Sequence, residues 1–382
     1  MGAKVLFIGN YTDNKTYELI TQKGIRDLSQ AARLFQQRLI NSLSKQTDEF
    51  RAISVLPTDN MTVLPERFMD ESTKVDVVPV TTGSMLSLAQ AMHRIHNLVV
   101  NECGKDTRVL MYAVNPIAVI PLLHLKKKFD LTLITICPEL PQFRRYRKSV
   151  KNDVKRKVFI FFNQKFDRYI VFAEAMREYL PEGKPCMTLE GFAPETVQKP
   201  QVREKNIAMY AGGLAEDNGI KMIIEAAHKS ELLDELWICG VGDCLEYVKE
   251  NTEDKIKYLG RLTNDEVVSY ERRAKVLLNV RDPGNELTRF SFPSKVLEYM
   301  AAGGIVVSSK LQGIPKEYYQ YVELIEEYNA KELARKMDKV FSMPGTAFKE
   351  KTENALEFIK AKSAELRCRE VLHFVLSRDE MR

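Results

Sequence analysis

The feature that most constrains this chain is an alternation that occurs twice. Short, β-branched apolar runs trade places with stretches of helical periodicity. In the first half, residues 4–8, 75–80, 108–112, 131–137 and 169–172 read as strands. Residues 28–43 and 84–100 read as amphipathic helices, and a third helix starts at Asn115-Pro116. In the second half the strands fall at 206–210, 236–239, 256–259, 276–280, 305–308 and 322–325, with helical segments between them. Strands that alternate with helices close parallel sheets through right-handed crossovers. Two such sets in 382 residues predict an α/β protein of two Rossmann-like domains. The expected first domain covers 1–192 and the second 205–350. Residues 193–204 (APETVQKPQVRE) are polar, aperiodic and contain two prolines, so they read as a linker. Residues 351–382 read as a C-terminal helical segment, which either closes the second domain or crosses back onto the first.

Composition removes several classes. Hydrophobic residues are 45% and charged residues 29%, which excludes a disordered, collagen-like or disulfide-scaffold chain. The six cysteines are scattered without a C-x-x-C pair, so reduced thiols are expected rather than a disulfide framework or zinc site. The longest apolar stretch, 109–123, is interrupted by Asn115, Pro116 and Pro121. It falls short of the roughly 20 residues a membrane span needs. The apolar run at 5–8 is too short for a signal-peptide core, and Leu6 breaks the myristoylation pattern. A cytoplasmic protein is expected, dissolved or attached to a surface.

Three segments carry candidate chemistry. The turn YAGGLAEDNG (210–219) follows a strand and precedes a helix. Glycines there let backbone N–H groups approach a phosphate, but an ordinary strand–helix turn has the same composition. GVG (240–242) lacks the third glycine of a dinucleotide fingerprint and reads as a plain turn. The stretch RDPGNELTRFSFPSKVLEYMAAGG (281–304) places a short helix before a buried strand. Its start, near Ser294, lies at the carboxyl edge of the sheet, where open α/β folds bind ligands. Lys295 and Glu298, three apart, share a face. The lysine can contact phosphate and the carboxylate can accept a ribose diol; an ordinary surface ion pair has the same spacing. His93 and His96 also lie three apart on a helix, without a third metal ligand in view. No P-loop or nucleophilic triad is present.

FPSKVLEYMAAG (292–303), followed by GIP (313–315), resembles the signature of family-four-type glycosyltransferases of the GT-B fold. It is most similar to the branch of bacterial capsule, O-antigen and exopolysaccharide gene clusters. IVFAEAMREYL (170–180), EGF (190–192), the 210–219 turn and YLGRL (258–262) resemble further landmarks in the same order. The resemblance covers 165–330 well and 1–140 in general architecture.

The resemblance implies two parallel-sheet domains facing across a cleft, with a nucleotide-sugar donor held by the second. It implies donor contacts at Gly212, Gly213, Asn218, Arg261, Leu262, Arg289, Phe290, Ser294, Lys295 and Glu298. Glu298 matches the second glutamate of the family's paired motif. The first would fall at Phe290, and Glu286 is out of register. Gly213 and Asn218 stand where the family carries an arginine and a lysine, so Lys295, Arg289 or Arg261 would supply positive charge instead. The family histidine of the first domain has no match; the comparable loop is ICPELP (136–141), which makes Glu139 the candidate for acceptor contact or base work. The chain has no Asp-x-Asp, in keeping with metal-independent transfer in which no cofactor is required. The resemblance further implies retention at the anomeric carbon and a lipid-linked saccharide acceptor.

Charge adds a second theme. Residues 142–168 hold ten basic and two acidic residues, a local +8 in a chain whose total is +5. Tyr146, Val150, Val154, Val158, Phe161 and Phe162 recur at spacings of four and three, so the segment predicts a cationic amphipathic helix. Arg144, Arg147, Lys148, Lys151, Lys155 and Arg156 would face an anionic membrane surface or the acceptor. The alternative is a stripe packed on its own domain with solvated charges. No nucleic-acid motif accompanies the patch. The expectation is therefore a glycosyltransferase at the inner face of the plasma membrane in bacterial surface polysaccharide synthesis. A catalytically inactive nucleotide-sugar-binding protein and a GT-B-fold sugar-nucleotide epimerase are the alternatives.

Overall fold

The computed structural model describes residues 4–22, 29–59, 64–70, 73–81, 83–143, 149–194 and 205–377. The chain divides into two compact units, Met1–Leu189 with Ala364–Arg382, and Glu190–Ser363.

In chain order, the first unit comprises β1 (Val5–Gly9), α1 (Asn14–Gln22), α2 (Gln30–Gln46), β2 (Phe50–Thr58), β3 (Arg67–Asp70), β4 (Thr73–Thr81), α3 (Met85–Glu102), β5 (Arg108–Tyr112), α4 (Pro116–Phe129), β6 (Thr132–Cys137), α5 (Val150–Asn163), β7 (Arg168–Val171) and β8 (Cys186–Thr188). The second comprises β9 (Ile207–Ala211), α6 (Ile220–Lys229), β10 (Glu235–Cys239), α7 (Leu245–Glu250), β11 (Ile256–Tyr258), α8 (Asn264–Glu271), β12 (Val276–Asn279), α9 (Lys295–Ala301), β13 (Ile305–Ser309), β14 (Glu323–Ile325), α10 (Ala330–Phe341) and α11 (Gly345–Lys360). The final helix, α12 (Ala364–Leu376), belongs to the first unit.

The first sheet runs β3-β4-β2-β1-β5-β6-β7-β8, and the second β11-β10-β9-β12-β13-β14. Every pairing is parallel except β3 with β4, which is antiparallel. Central strands β1, β5 and β9 are buried along their whole length. Their near-continuous apolar runs reflect cover on both faces. Alternation still operates within them: on β9, Ala208 and Tyr210 enter one core, and Ile207, Met209 and Ala211 the other.

Helix starts follow from local chemistry. Ser29 and Ser84 accept hydrogen bonds from the N–H groups of Ala32 and Ser87. Asn115 caps α4, with Pro116 in the first turn, where its missing N–H costs nothing. Thr263 and Glu266 form a reciprocal capping box on α8.

The structure adds α1, β2, β3 and β8 to the elements expected from periodicity. It also divides the C-terminal helical segment expected over 351–382. A turn at 361–362 ends α11, and Ala193 N donates to Lys362 O at 2.8 Å. α11 packs on α9, whereas α12 packs on α2. Ser42 Oγ donates to Ala364 O at 3.1 Å, and Arg168, 2% exposed, donates to Ser377 Oγ at 2.6 Å and to Phe374 O and Ser377 O at 2.5 Å. The expected 351–382 segment is thus shared between units, with the break at 363/364. Most of the expected linker, 195–204, lies outside the described residues. Among the described residues, no helix is long and apolar enough to cross a membrane.

Candidate functional site

The candidate donor site gathers at the carboxyl edge of the second sheet. β9 ends at Ala211 and runs directly into the turn at Gly212 and Gly213. Gly212 N donates to Cys239 O at 3.1 Å, and Leu214 N to Val241 O at 2.9 Å, so this turn is laced to the one after β10. Gly240 adopts φ 135°, and a Cβ there would lie 1.8 Å from Gly212 O. The glycine of 240–242 therefore serves close backbone packing. Asn218 Nδ2 donates to Gly213 O at 2.8 Å, as does the Tyr210 hydroxyl. Where the family resemblance puts a cation, Asn218 holds the turn in shape.

α9 is seven residues long, and Ser294 makes no side-chain cap. Lys295 opens it. Its Nζ lies 2.6 Å from Glu298 Oε2 and 3.2 Å from Glu271 Oε1. Glu271 ends α8 and is 1% exposed. Burial pushes its carboxyl up from 4.5 to about 7, against the pull of Lys295. Burial works against the Lys295 ammonium in turn, yet Glu298 and Glu271 outweigh it and hold its pKa above the ordinary lysine range. Lys295 and Glu298 thus share a face as the spacing predicts, joined by a second carboxylate that lies 24 residues earlier. Next to Glu298, the Tyr299 hydroxyl accepts from Ala211 N at 2.9 Å and donates to Ala211 O. That pair fixes α9 to the strand end beneath the glycine turn.

The other expected donor residues are distributed around this edge. Phe290 is buried, with the Arg289 guanidinium over its ring at 4.9 Å. Arg261 is exposed and Leu262 half-buried against the core, both just after β11. The GIP turn packs on the backbone before α9: a Cβ on Gly313 would meet Ser291 O at 2.2 Å. Arg281, two residues past β12, is half-buried and donates to Ser291 Oγ at 3.4 Å. Glu271, Tyr299 and Arg281 were not singled out by sequence. Glu271 and Arg281 reach the site through tertiary packing, which no local spacing encodes; Tyr299 sits in the 292–303 motif beside Glu298.

In the first unit, Glu139 is exposed just beyond β6 and acts electrostatically on the buried Tyr112 hydroxyl at the end of β5. The cationic segment forms α5 only from Val150; Arg144, Arg145, Arg147 and Lys148 lie outside the described residues. Its orientation overturns the packed-stripe alternative. Val150, Val154, Val158 and Phe161 are 81%, 56%, 39% and 52% exposed. Asn152, Arg156, Phe159, Ile160 and Asn163 are the less exposed face. At about 100° per residue, the two sets lie on opposite sides of the helix. Lys151, Lys155 and Lys157 are exposed beside the apolar stripe, whereas Arg156 is half-buried with Nη1 3.5 Å from Asp153 Oδ1.

Residues 193–360 match the family model described as Glycosyl transferases group 1. The whole chain superposes on solved structures at low identity. Sucrose-phosphate synthase from Thermosynechococcus elongatus gives a TM-score of 0.68 at 14% identity, over 97% of this chain and 98% of that one. Trehalose 6-phosphate synthase from Burkholderia multivorans gives 0.66 at 10%, covering 98% of each. Anabaena HepE in complex with UDP gives 0.66 at 14%, over 97% and 99%. No curated protein sequence matches the chain. The fold is therefore that of GT-B glycosyltransferases, two α/β domains with parallel sheets, and the match to the group 1 model falls within the second unit.

Proposed function

We propose that the chain transfers a sugar from a nucleotide-sugar to a saccharide acceptor, in the branch of family-four-type enzymes that build bacterial surface polysaccharides. The observation that carries this is the Glu271–Lys295–Glu298 cluster on α8 and α9, fixed through Tyr299 to the strand end under the Gly212 turn. A carboxylate at Glu298 accepts two hydrogen bonds from a ribose diol. Release of Lys295 from one carboxylate as the donor enters lets it meet the leaving diphosphate. The donor is a nucleoside-diphosphate sugar, as in the HepE complexes with UDP and UDP-glucose. Neutralising charge on the leaving group, without metal, is the largest rate term such a site can offer. Glu139 is assigned to the acceptor side, and retention of configuration goes with the family resemblance.

The acceptor is lipid-linked on this reading, and α5 supports it. An apolar stripe pointing away from its own domain, edged by Lys151, Lys155 and Lys157, matches an interfacial helix on an anionic bilayer. On this reading the enzyme works peripherally at the inner face of the membrane. One observation favours a binding-only protein instead: the turn carries Gly213 and Asn218 where cations are expected, and Lys295 is already paired twice. Incubating purified protein with a panel of nucleotide-sugars and lipid-linked acceptors, with product detection by mass spectrometry, separates the readings. Transfer supports the enzyme. Release of an altered nucleotide-sugar without acceptor supports the epimerase. Binding without turnover supports the inactive protein.

A further inference from the structure

Several lysines of the second unit are held by carboxylates. Lys351 pairs with Glu323 at 2.5 Å, Lys362 with Glu317 at 2.6 Å, and Lys295 with both Glu271 and Glu298. The Lys295 cluster therefore presents no net positive charge to a ligand. Arg281 is different. It is half-buried at the carboxyl end of β12, and its Nη1 donates to the neutral Ser291 hydroxyl at 3.4 Å. No described carboxylate pairs with it, and burial lowers its pKa with only the Tyr210 hydroxyl acting in the other direction.

The backbone locates the arginine: Asp282 N donates to Asp217 O at 3.2 Å, and a Cβ on Gly219 would meet Val280 O at 2.1 Å, so residues 280–282 pack on the 210–219 turn. Burial pushes the Tyr210 hydroxyl up to about 12, and Arg281 and Lys295 pull it back. The same hydroxyl donates to Gly213 O at 2.8 Å. Arg281 thus stands beside the turn whose two expected cations are Gly213 and Asn218. Gly213 is exposed, and its N–H makes no hydrogen bond to the described residues. A desolvated guanidinium without a counter-ion is unfavourable in the empty protein. A phosphate entering from solution removes that cost, and the guanidinium fork suits its oxygens.

We propose that Arg281 is the cation that binds the donor diphosphate, in place of the two charges the glycine turn lacks. This deepens the nucleotide-sugar reading and rests on it. Arg281 supplies the charge that the resting site presents, Gly213 N–H a backbone donor, and Lys295 orders Glu298 for the ribose until the entering donor releases it toward the diphosphate.

The test is calorimetric titration of the full chain with UDP, GDP, uridine and inorganic pyrophosphate, for wild type, Arg281→Lys and Arg281→Met. Thermal melting without ligand accompanies each. Arg281→Met should weaken diphosphate binding roughly 10- to 100-fold, the scale of one charge-assisted contact, and leave uridine unchanged. Arg281→Lys should retain most of the affinity. Because Met removes an uncompensated charge, its unliganded melting temperature should not fall. Wild-type binding that Arg281→Met leaves intact overturns the assignment while the donor reading stands. A clear drop in the unliganded melting temperature of Arg281→Met, with Arg281→Lys also inactive in binding, assigns the arginine to structure and overturns it too. If wild type binds none of these nucleotides or pyrophosphate, the donor reading itself fails.

Discussion

Lys295 Nζ sits 3.2 Å from the carboxylate of Glu271, a residue 1% exposed at the far end of another helix. This pairing changes how the 292–303 motif works. A lysine at the start of α9 is not a free phosphate ligand; it is a cation shared between a buried acid and Glu298.

The first prediction concerns pH. The Glu271 carboxyl is raised from 4.5 to about 7, so the folded state holds its proton more tightly than the unfolded state does. Its contribution to stability is full below about pH 4.5 and is lost as pH rises toward 7. The second unit should therefore melt at lower temperature at pH 7.5 than at pH 5.5, by roughly 2–4 °C for each kcal/mol lost. Glu271→Gln should flatten that dependence. A slope unchanged in the variant contradicts the assignment.

The second prediction concerns the ribose. Glu298→Ala should weaken nucleoside-diphosphate binding by about 1–3 kcal/mol, the value of hydrogen bonds to a charged acceptor, with the fold intact by circular dichroism. Unchanged affinity by calorimetry removes Glu298 from the donor site.

The third prediction concerns α5. Lys151→Gln with Lys155→Gln should lower binding to phosphatidylserine vesicles by about 1 kcal/mol per lysine, roughly 30-fold together. Val154→Asp with Val158→Asp should lower it further without changing the melting temperature, because both valines are exposed. Co-sedimentation measures both. Unaltered binding means the face is merely solvated.

The fourth prediction concerns the last helix. Arg168→Met deletes three bonds to the end of α12. It should cost roughly 2–4 kcal/mol and speed amide exchange over 364–376, leaving the second sheet protected. Uniform exchange across both units contradicts the staple.

The strands of the second sheet were legible because buried parallel strands are short apolar runs bounded by glycine and charge. The strand at 305–309 stands out for that reason, as does the strand at 108–112 in the first sheet. β2 was not legible: Arg51 and Pro57 interrupt its apolar run. Periodicity also joined α11 to α12, since nothing between Lys360 and Ala364 is a strong helix breaker. The bond from Ala193 to Lys362 and the bridge from Ala193 to Ser363 show the chain turning there. Likewise, the sequence revealed the amphipathic pattern of α5 and its charge, but not that the apolar side points outward. That depends on Asn152, Arg156 and Asn163 packing inward. In the site, Lys295 and Glu298 were visible from spacing. Glu271 and Arg281 were not, since each arrives from a separate element.

The central claim is most directly tested by measuring nucleotide-sugar consumption by the purified full chain, with UDP-glucose among the donors and a lipid-linked saccharide as acceptor. Wild type should show acceptor-dependent release of nucleoside diphosphate that Glu298→Ala and Arg281→Met both suppress. Binding of nucleotide-sugars with no release from any donor, in the presence of acceptor, would contradict it.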